Sequence, residues 1–336
     1  MTAPSTCPSA RGAAAWPRLK RSAIELTKRL MWRVSPRALD LLAAPHRGQT
    51  FSIGIYTGES PLALVDPVDV DNPVLTREDV SDVPAAFVAD PFMLRRDGSW
   101  YMFMEVFNRI HRRGEIGVAT SEDGISWHYQ RIGLREPFHL AYPCLLPWQD
   151  DIYMIPDSPG RGARLYRASA FPYRWEFVRE LVSDQNLCDS TVFRHEDRWW
   201  MLAGWIPQQH APVSLRLFSA DALDGDWQEH PASPLLTRRN KGARPAGPII
   251  KIDGRMFRVA QDCTPYYGTR VRAFEILELT QTVYREQPIE ANVVVQSGSR
   301  RWHSGGMHHV HAHPAGNGQW IACVDGWYQT DSSTRS

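Results

Sequence analysis

Hydrophobic residues in this chain gather into short runs that return at near-regular intervals. Five of them, Trp100-Tyr101-Met102, Ile152-Tyr153-Met154, Trp199-Trp200-Met201, Met256-Phe257-Arg258 and Trp320-Ile321-Ala322, follow one another at steps of 52, 47, 57 and 64 residues. Runs of this kind read as strands, and a period near fifty marks an array of one supersecondary unit. Each unit has the length of one propeller blade.

Two further phrases keep the same register. Asp123-Gly124-Ile125-Ser126-Trp127, Phe171-Pro172-Tyr173-Arg174-Trp175, Asp224-Gly225-Asp226-Trp227 and, more loosely, Thr282-Val283-Tyr284 place turn residues before an aromatic that opens the next strand. Asp90-Pro91-Phe92, Tyr142-Pro143-Cys144, Asp189-Ser190-Thr191, Arg244-Pro245-Ala246 and Met307-His308-His309 open the units. The pattern predicts an all-β, five-bladed β-propeller over residues 49–336. Its last unit is cut short, with room for two strands, while Phe51-Ser52-Ile53-Gly54-Ile55-Tyr56 is β-rich and has no blade of its own. That N-terminal stretch is expected to close the ring by pairing with the last blade, which removes open sheet edges.

Composition fits one large domain: 336 residues, 43% hydrophobic, 13 Trp and 25 Pro. A net charge of +1 gives no global field for nucleic acid. The five cysteines are scattered without metal-ligand spacing, as in a reducing compartment, and a cytoplasmic location is expected. No apolar run reaches the roughly 18 residues of a membrane span. Residues 1–48 stand apart as a basic extension. Within it, residues 17–37 carry seven Arg or Lys against Glu25 alone, with apolar residues interleaved. Such a segment suits a leader packed on the propeller, with peripheral contact to an anionic membrane surface as the alternative.

In a propeller the inner strand starts at the face where the second strand ends. The openings Asp90, Tyr142, Asp189, Arg244 and His308 should therefore meet Glu105, Asp157, Gly204, Gln261 with Asp262, and Asp325 at one funnel. The loop aromatics Trp148, Trp205, Tyr266, Tyr267 and Trp327 are expected near that end, where aromatic faces suit sugar rings.

Asn72-Pro73-Val74-Leu75, Ala89-Asp90-Pro91-Phe92, Tyr142-Pro143 and Cys188-Asp189-Ser190-Thr191-Val192-Phe193 resemble the five-bladed propellers of glycoside hydrolase family 43 and its relatives. More specifically, residues 51–330 resemble the propeller domain of plant glucosamine inositolphosphorylceramide transferases and its free-standing bacterial relatives. That likeness is carried by Ile53-Gly54-Ile55-Tyr56, Glu136-Pro137-Phe138-His139-Leu140-Ala141-Tyr142-Pro143, Met154-Ile155-Pro156-Asp157-Ser158 and Arg244-Pro245-Ala246-Gly247. In the plant proteins the domain accompanies a separate glycosyltransferase domain, so a partner transferase is one expectation.

The hydrolase resemblance implies that Asp90 is the base activating water and Asp189 the carboxylate tuning the acid. It also implies an acidic Glu opening blade four, where this chain has Arg244-Pro245. Arg244 suits bidentate contact with a phosphate-bearing sugar, or it pairs with Asp189 or Asp262 as scaffold. The acid then falls to Glu105 or Asp157. His309, His311 and His313 share a strand face, but about 7 Å spacing is too wide for one ion, so no metal or other cofactor is expected. His308 and His309 are instead expected to touch substrate or water, with Tyr142, Arg244, Asp262, Trp205, Tyr267 and Asp325 as further binding residues. Two classes follow: an enzyme at an anomeric carbon, with transfer or phosphorolysis ahead of hydrolysis, and a non-catalytic glycan-binding module beside a transferase.

Overall fold

The computed structural model describes residues 48–330 apart from 185, 209 and 210, so the basic segment 17–37 lies outside the described residues. The chain enters through β1 (Gly48–Ser60) and β2 (Ala63–Val65). Blade one is β3 (Ala85–Arg96), β4 (Ser99–Asn108), β5 (Arg113–Ser121) and β6 (His128–Leu134). Blade two is β7 (Ala141–Trp148), β8 (Asp151–Asp157), β9 (Ala163–Ala170) and β10 (Arg174–Val182). Blade three is β11 (Leu187–His195), β12 (Arg198–Trp205), β13 (Ser214–Ala220) and β14 (Gln228–Glu229). Blade four is β15 (Lys241–Pro245), β16 (Ile250–Ile252), β17 (Arg255–Asp262), β18 (Arg270–Leu279) and β19 (Tyr284–Gln296), and its opening strand is broken into β15 and β16, which both pair with β17. β20 (Gly306–Gly316) and β21 (Gln319–Thr330) begin blade five.

The fifth sheet runs β20-β21-β1-β2. β1 lies antiparallel to β21 from Gly48 opposite Thr330 to Gly58 opposite Trp320, so the first strand closes the ring as its orphan pattern required. Short hairpins fix the register of the blades. Asp97-Gly98, Asp253-Gly254 and Asn317-Gly318 each hold two successive positive φ angles between paired strand ends, the geometry of a two-residue loop whose twist matches the strands. The aromatics of the turn phrase fasten their own turns: Trp127 donates to the Gly124 carbonyl (2.8 Å), Trp175 to Pro172 (3.0 Å) and Trp227 to Leu223 (3.0 Å).

The core lies between blades rather than at the axis. One cluster joins blades one, two and three through Phe92, Phe103, Tyr142, Met154 and Met201, and others seal the remaining blade pairs. Each such side chain removed from water stabilises the fold by about 1.5–3 kcal/mol. Among the described residues no helix is long and apolar enough to cross a membrane.

Candidate active site at the mouth of the propeller

The opening strands share a backbone irregularity. In blade one Ala89 pairs with Glu105 and Phe92 with Phe103, so Asp90 and Pro91 stand against Met104 alone. The same two-against-one step falls at Tyr142-Pro143, at Asp189-Ser190 and at Met307-His308. Asp90, Tyr142 and Asp189 have φ of 51°, 43° and 50°. Non-glycine residues hold such angles only where their surroundings fix them, and a bulge re-aims the side chain out of the strand's alternation.

Hydrogen bonds then link each bulge to its neighbour. Asp325 of blade five accepts the backbone N–H of Asp90 (2.9 Å), and Asp90 accepts that of Tyr142 in blade two (3.2 Å). Asp157 of blade two accepts the backbone N–H of Asp189 in blade three. Asp189 receives Nε and Nη2 of Arg244 from blade four and Nε2 of Gln261 at 3.3 Å. On the other side of Asp90, His308 Nδ1 lies 2.7 Å from Asp325 Oδ1 and its Nε2 3.7 Å from Asp90 Oδ1. Phe51 stacks on the His308 ring at 4.6 Å.

Burial sets the protonation of this ring of acids. It pushes Asp90 up to about 7, against the pull of His308 and with the help of Asp325 and Asp189. Glu105 and Asp157 are raised well above the carboxylate range by burial and by the neighbouring acids. Burial opposes charge on Asp325 and His308 as well, but each supplies the other's counter-charge and hydrogen bond. Asp325 is thereby lowered and His308 raised. His309, with no comparable hydrogen bond, is driven by burial down to about 3 and is neutral. Asp90, His308 and Asp325 offer ligand atoms within 4.8 Å of one another, a trio close enough for a metal ion. His308 Nδ1 and Asp325 are already bonded together, so the trio is organised as an ion pair beneath Asp90.

The sequence pattern of the glucosamine inositolphosphorylceramide transferase 1 N-terminal family matches residues 44–327. The chain belongs to this family. It is 31% identical over 298 residues to glucosamine inositolphosphorylceramide transferase 1 of Oryza sativa subsp. japonica, and 32% identical over 300 residues to that of Arabidopsis thaliana. Both alignments cover 82% of this chain but 40% and 39% of those proteins, so the chain spans about two fifths of the curated relatives it matches. Among solved structures, a thermostable family-43 glycoside hydrolase superposes with a TM-score of 0.55 at 12% identity, covering 79% of this chain and 94% of that one. A family 32 beta-fructofuranosidase of Bombyx mori gives 0.53 at 11% identity, over 92% of this chain and 62% of that one. At such identities the likeness speaks for the fold.

Within this family member the structure gathers Asp90, Glu105, Asp157, Asp189, Arg244, His308 and Asp325 at one mouth. It moves other expected residues away. Asp262 neighbours Gln261 on β17 and so faces the other side of the sheet, where it binds Arg272 (2.8 Å) and Arg270 (3.8 Å); Gln261 takes its place toward Asp189. Arg244 is the partner of Asp189 rather than an unpaired anion receptor. Tyr142 is fully buried, its hydroxyl joined to Thr191 (2.7 Å) and to the Gly247 backbone, so it braces blades two, three and four instead of meeting substrate. Gly247 in turn packs closely on blade five: a Cβ there would lie 2.0 Å from the Val310 carbonyl. His309 is likewise fully buried, against Phe92 and Tyr142. His311 and His313 lean together to 4.3 Å, closer than backbone spacing suggests, because their side chains tilt along the strand.

Of the aromatics, Tyr267 borders the mouth, 38% exposed, beneath the Arg244 guanidinium and edge-on to His308. Trp205 is stitched to Asp184 and covered by Arg216. Trp327 is buried and donates to Gly268, while Trp148 ends β7 at the opposite end of its blade. Phe87, Phe107 and His139 lie outside the residues to which the repeat points. Phe87 and Phe107 stack at 5.2 Å between Phe51, which covers His308, and His139, forming an apolar wall. Phe87 lies in a second two-against-one step of β3, where Ala86 and Phe87 stand against Phe107, and a linear pattern does not show it; His139 lies in the loop before β7, and its neighbour Glu105 comes from another strand.

Proposed function

We propose that this chain acts on a glycosyl group at its anomeric carbon, in glycosyl transfer within glycan or glycolipid metabolism, with Asp90 as the base. The carrying observation is a set of buried carboxyls from four blades at one propeller mouth, beside an Asp189–Arg244 ion pair and a phenylalanine wall. Chemistry at an anomeric centre needs one carboxyl that takes a proton from the attacking hydroxyl and another that gives one to the leaving oxygen. Asp90, near 7, suits the first task at neutral pH. Because Arg244 is committed to Asp189, an ordinary glycosidic oxygen is favoured over a phosphate as the group that leaves. Carried over from the relatives' names, the sugar is of the glucosamine class and the acceptor an inositolphosphoryl headgroup.

The test is turnover of 4-nitrophenyl and methyl glycosides of glucosamine and N-acetylglucosamine, in both anomers, by the wild type and Asp90→Asn. Activity that rises with pH through about 7, and falls at least ~10²-fold in the variant, supports the reading. Equal activity in the two proteins overturns it. A second reading, glycan recognition in support of a separate transferase, draws on the chain's spanning two fifths of its relatives. It is supported by sugar binding without turnover in either protein.

A further inference from the structure

We propose that Glu105 is the proton donor of this site and that His139 positions it. The inference rests on the glycosyl-transfer reading and adds the residue that the hydrolase pattern would place in blade four. Glu105 lies on β4 opposite Ala89, next to the Asp90 bulge, and is 6% exposed. Its Oε1 is buried with no hydrogen-bond partner among the described residues. Such an oxygen carries a desolvation penalty when charged and a much smaller one when neutral. Its seat is formed by a glycine: a Cβ on Gly114 would lie 2.6 Å from Oε1 and 3.0 Å from the His139 ring.

His139 defines which oxygen of Glu105 holds the proton. The Gly114 backbone N–H donates to His139 Nδ1 (2.9 Å), so the neutral ring carries its hydrogen on Nε2. That nitrogen lies 3.4 Å from Glu105 Oε1, a long contact of the kind that tightens when a substrate binds. Closing that 3.4 Å gap would make Oε1 the acceptor of the His139 Nε2–H, and so the carbonyl oxygen, with the acidic hydrogen on Oε2. Burial and the nearby Arg244 push His139 down to about 4, so it donates without adding a charge that would ionise Glu105. The groups facing Glu105 are Asp90, Asp157, Asp189, Asp325 and His139, and the four acids all favour its neutral form. Asp157 is less suited, because the Asp189 backbone N–H stabilises its ionised form.

In the step that follows, the bond between the anomeric carbon and the leaving oxygen breaks as Glu105 Oε2 gives that oxygen its proton, and the leaving group departs as a neutral alcohol. The acceptor hydroxyl forms the new bond to the anomeric carbon and gives its proton to Asp90. Glu105 ends ionised and Asp90 protonated, and a proton passed back from Asp90 restores both.

Two measurements test this. In protein labelled with 13C at glutamate carboxyls, a resonance that is protonated at pH 7 and absent from Glu105→Gln is expected; a Glu105 carboxyl ionised at pH 7 overturns the proposal whatever the substrate. In turnover, Glu105→Gln should lose at least ~10²-fold on methyl glycosides and less than ~10-fold on 4-nitrophenyl glycosides, whose leaving group needs no proton. Equal losses on both overturn the donor role. His139→Ala should admit water to Glu105 and move the alkaline limb of kcat/KM to lower pH with little change in Tm; an unmoved limb removes His139 from the scheme. If the wild type turns over neither glycoside, the transfer reading and the donor role fail together, and a protonated Glu105 resonance then records the buried acid without a reaction.

Discussion

At the scale of single residues, this site shows burial and neighbouring charge dividing like groups into unlike roles. Asp325 and Asp90 are both buried aspartates, yet Asp325 bonds directly to His308 and is lowered, whereas Asp90 lies farther from it and rises to about 7. The sign for stability follows. An unfolded Asp90 ionises near 4 and the folded one near 7, so between those values the unfolded chain sheds a proton that the folded chain keeps. Folding stability falls as pH rises across that window, by about 2–4 kcal/mol from this group. Asp90→Asn should flatten this decline, making the variant the more stable protein at pH 8 relative to the wild type, with the difference shrinking toward pH 4; Tm against pH checks it. Arg244 gives the opposite lesson. Removing it leaves a buried Asp189 without its cation, and Arg244→Met should destabilise by about 3–5 kcal/mol, with much of that recovered in Arg244→Met/Asp189→Asn. A double-mutant cycle in urea measures the coupling, and additive effects would deny the pair.

At the scale of elements, the bulge that opens the inner strands is the device that turns a packed sheet into a site. It puts Asp90 and Asp189 at the mouth, and it needs bracing from neighbouring blades. Tyr142 supplies much of that bracing through its hydroxyl, so Tyr142→Phe should cost about 1–3 kcal/mol by leaving the buried Gly247 N–H unpaired, read as a lower urea midpoint at unchanged m-value. The strands themselves were legible from recurrent phrases such as Ile152-Tyr153-Met154, because blade packing demands apolar residues at fixed intervals. The bulges were not. Asp90-Pro91 and Tyr142-Pro143 look like strand openings in a linear reading, and the extra residue appears only against the partner strand. Asp262 was misplaced for a related reason: which of two adjacent residues faces the channel depends on register.

At the scale of the whole molecule, the ring is held shut by the chain's first described strand pairing with its last. Removing β1 should expose the edge of β21 and the apolar faces that Ile53 and Ile55 cover, giving aggregated or unfolded protein in size-exclusion chromatography. A monomeric, cooperatively folding product would show that closure is dispensable. Period, blade count and closing strand were determined by the sequence alone, since each blade is a local unit whose hydrophobic spacing repeats along the chain. The convergence of Asp90, Asp189 and Arg244 was legible too, because propeller topology sends the strand openings to one face. Tertiary structure alone decided that Arg244 is bound to Asp189, that Tyr142 and His309 lie beneath the site, and that His139 stands beside Glu105. Those facts depend on side-chain direction and burial across blade boundaries, which join residues far apart in the chain and leave no trace in local pattern.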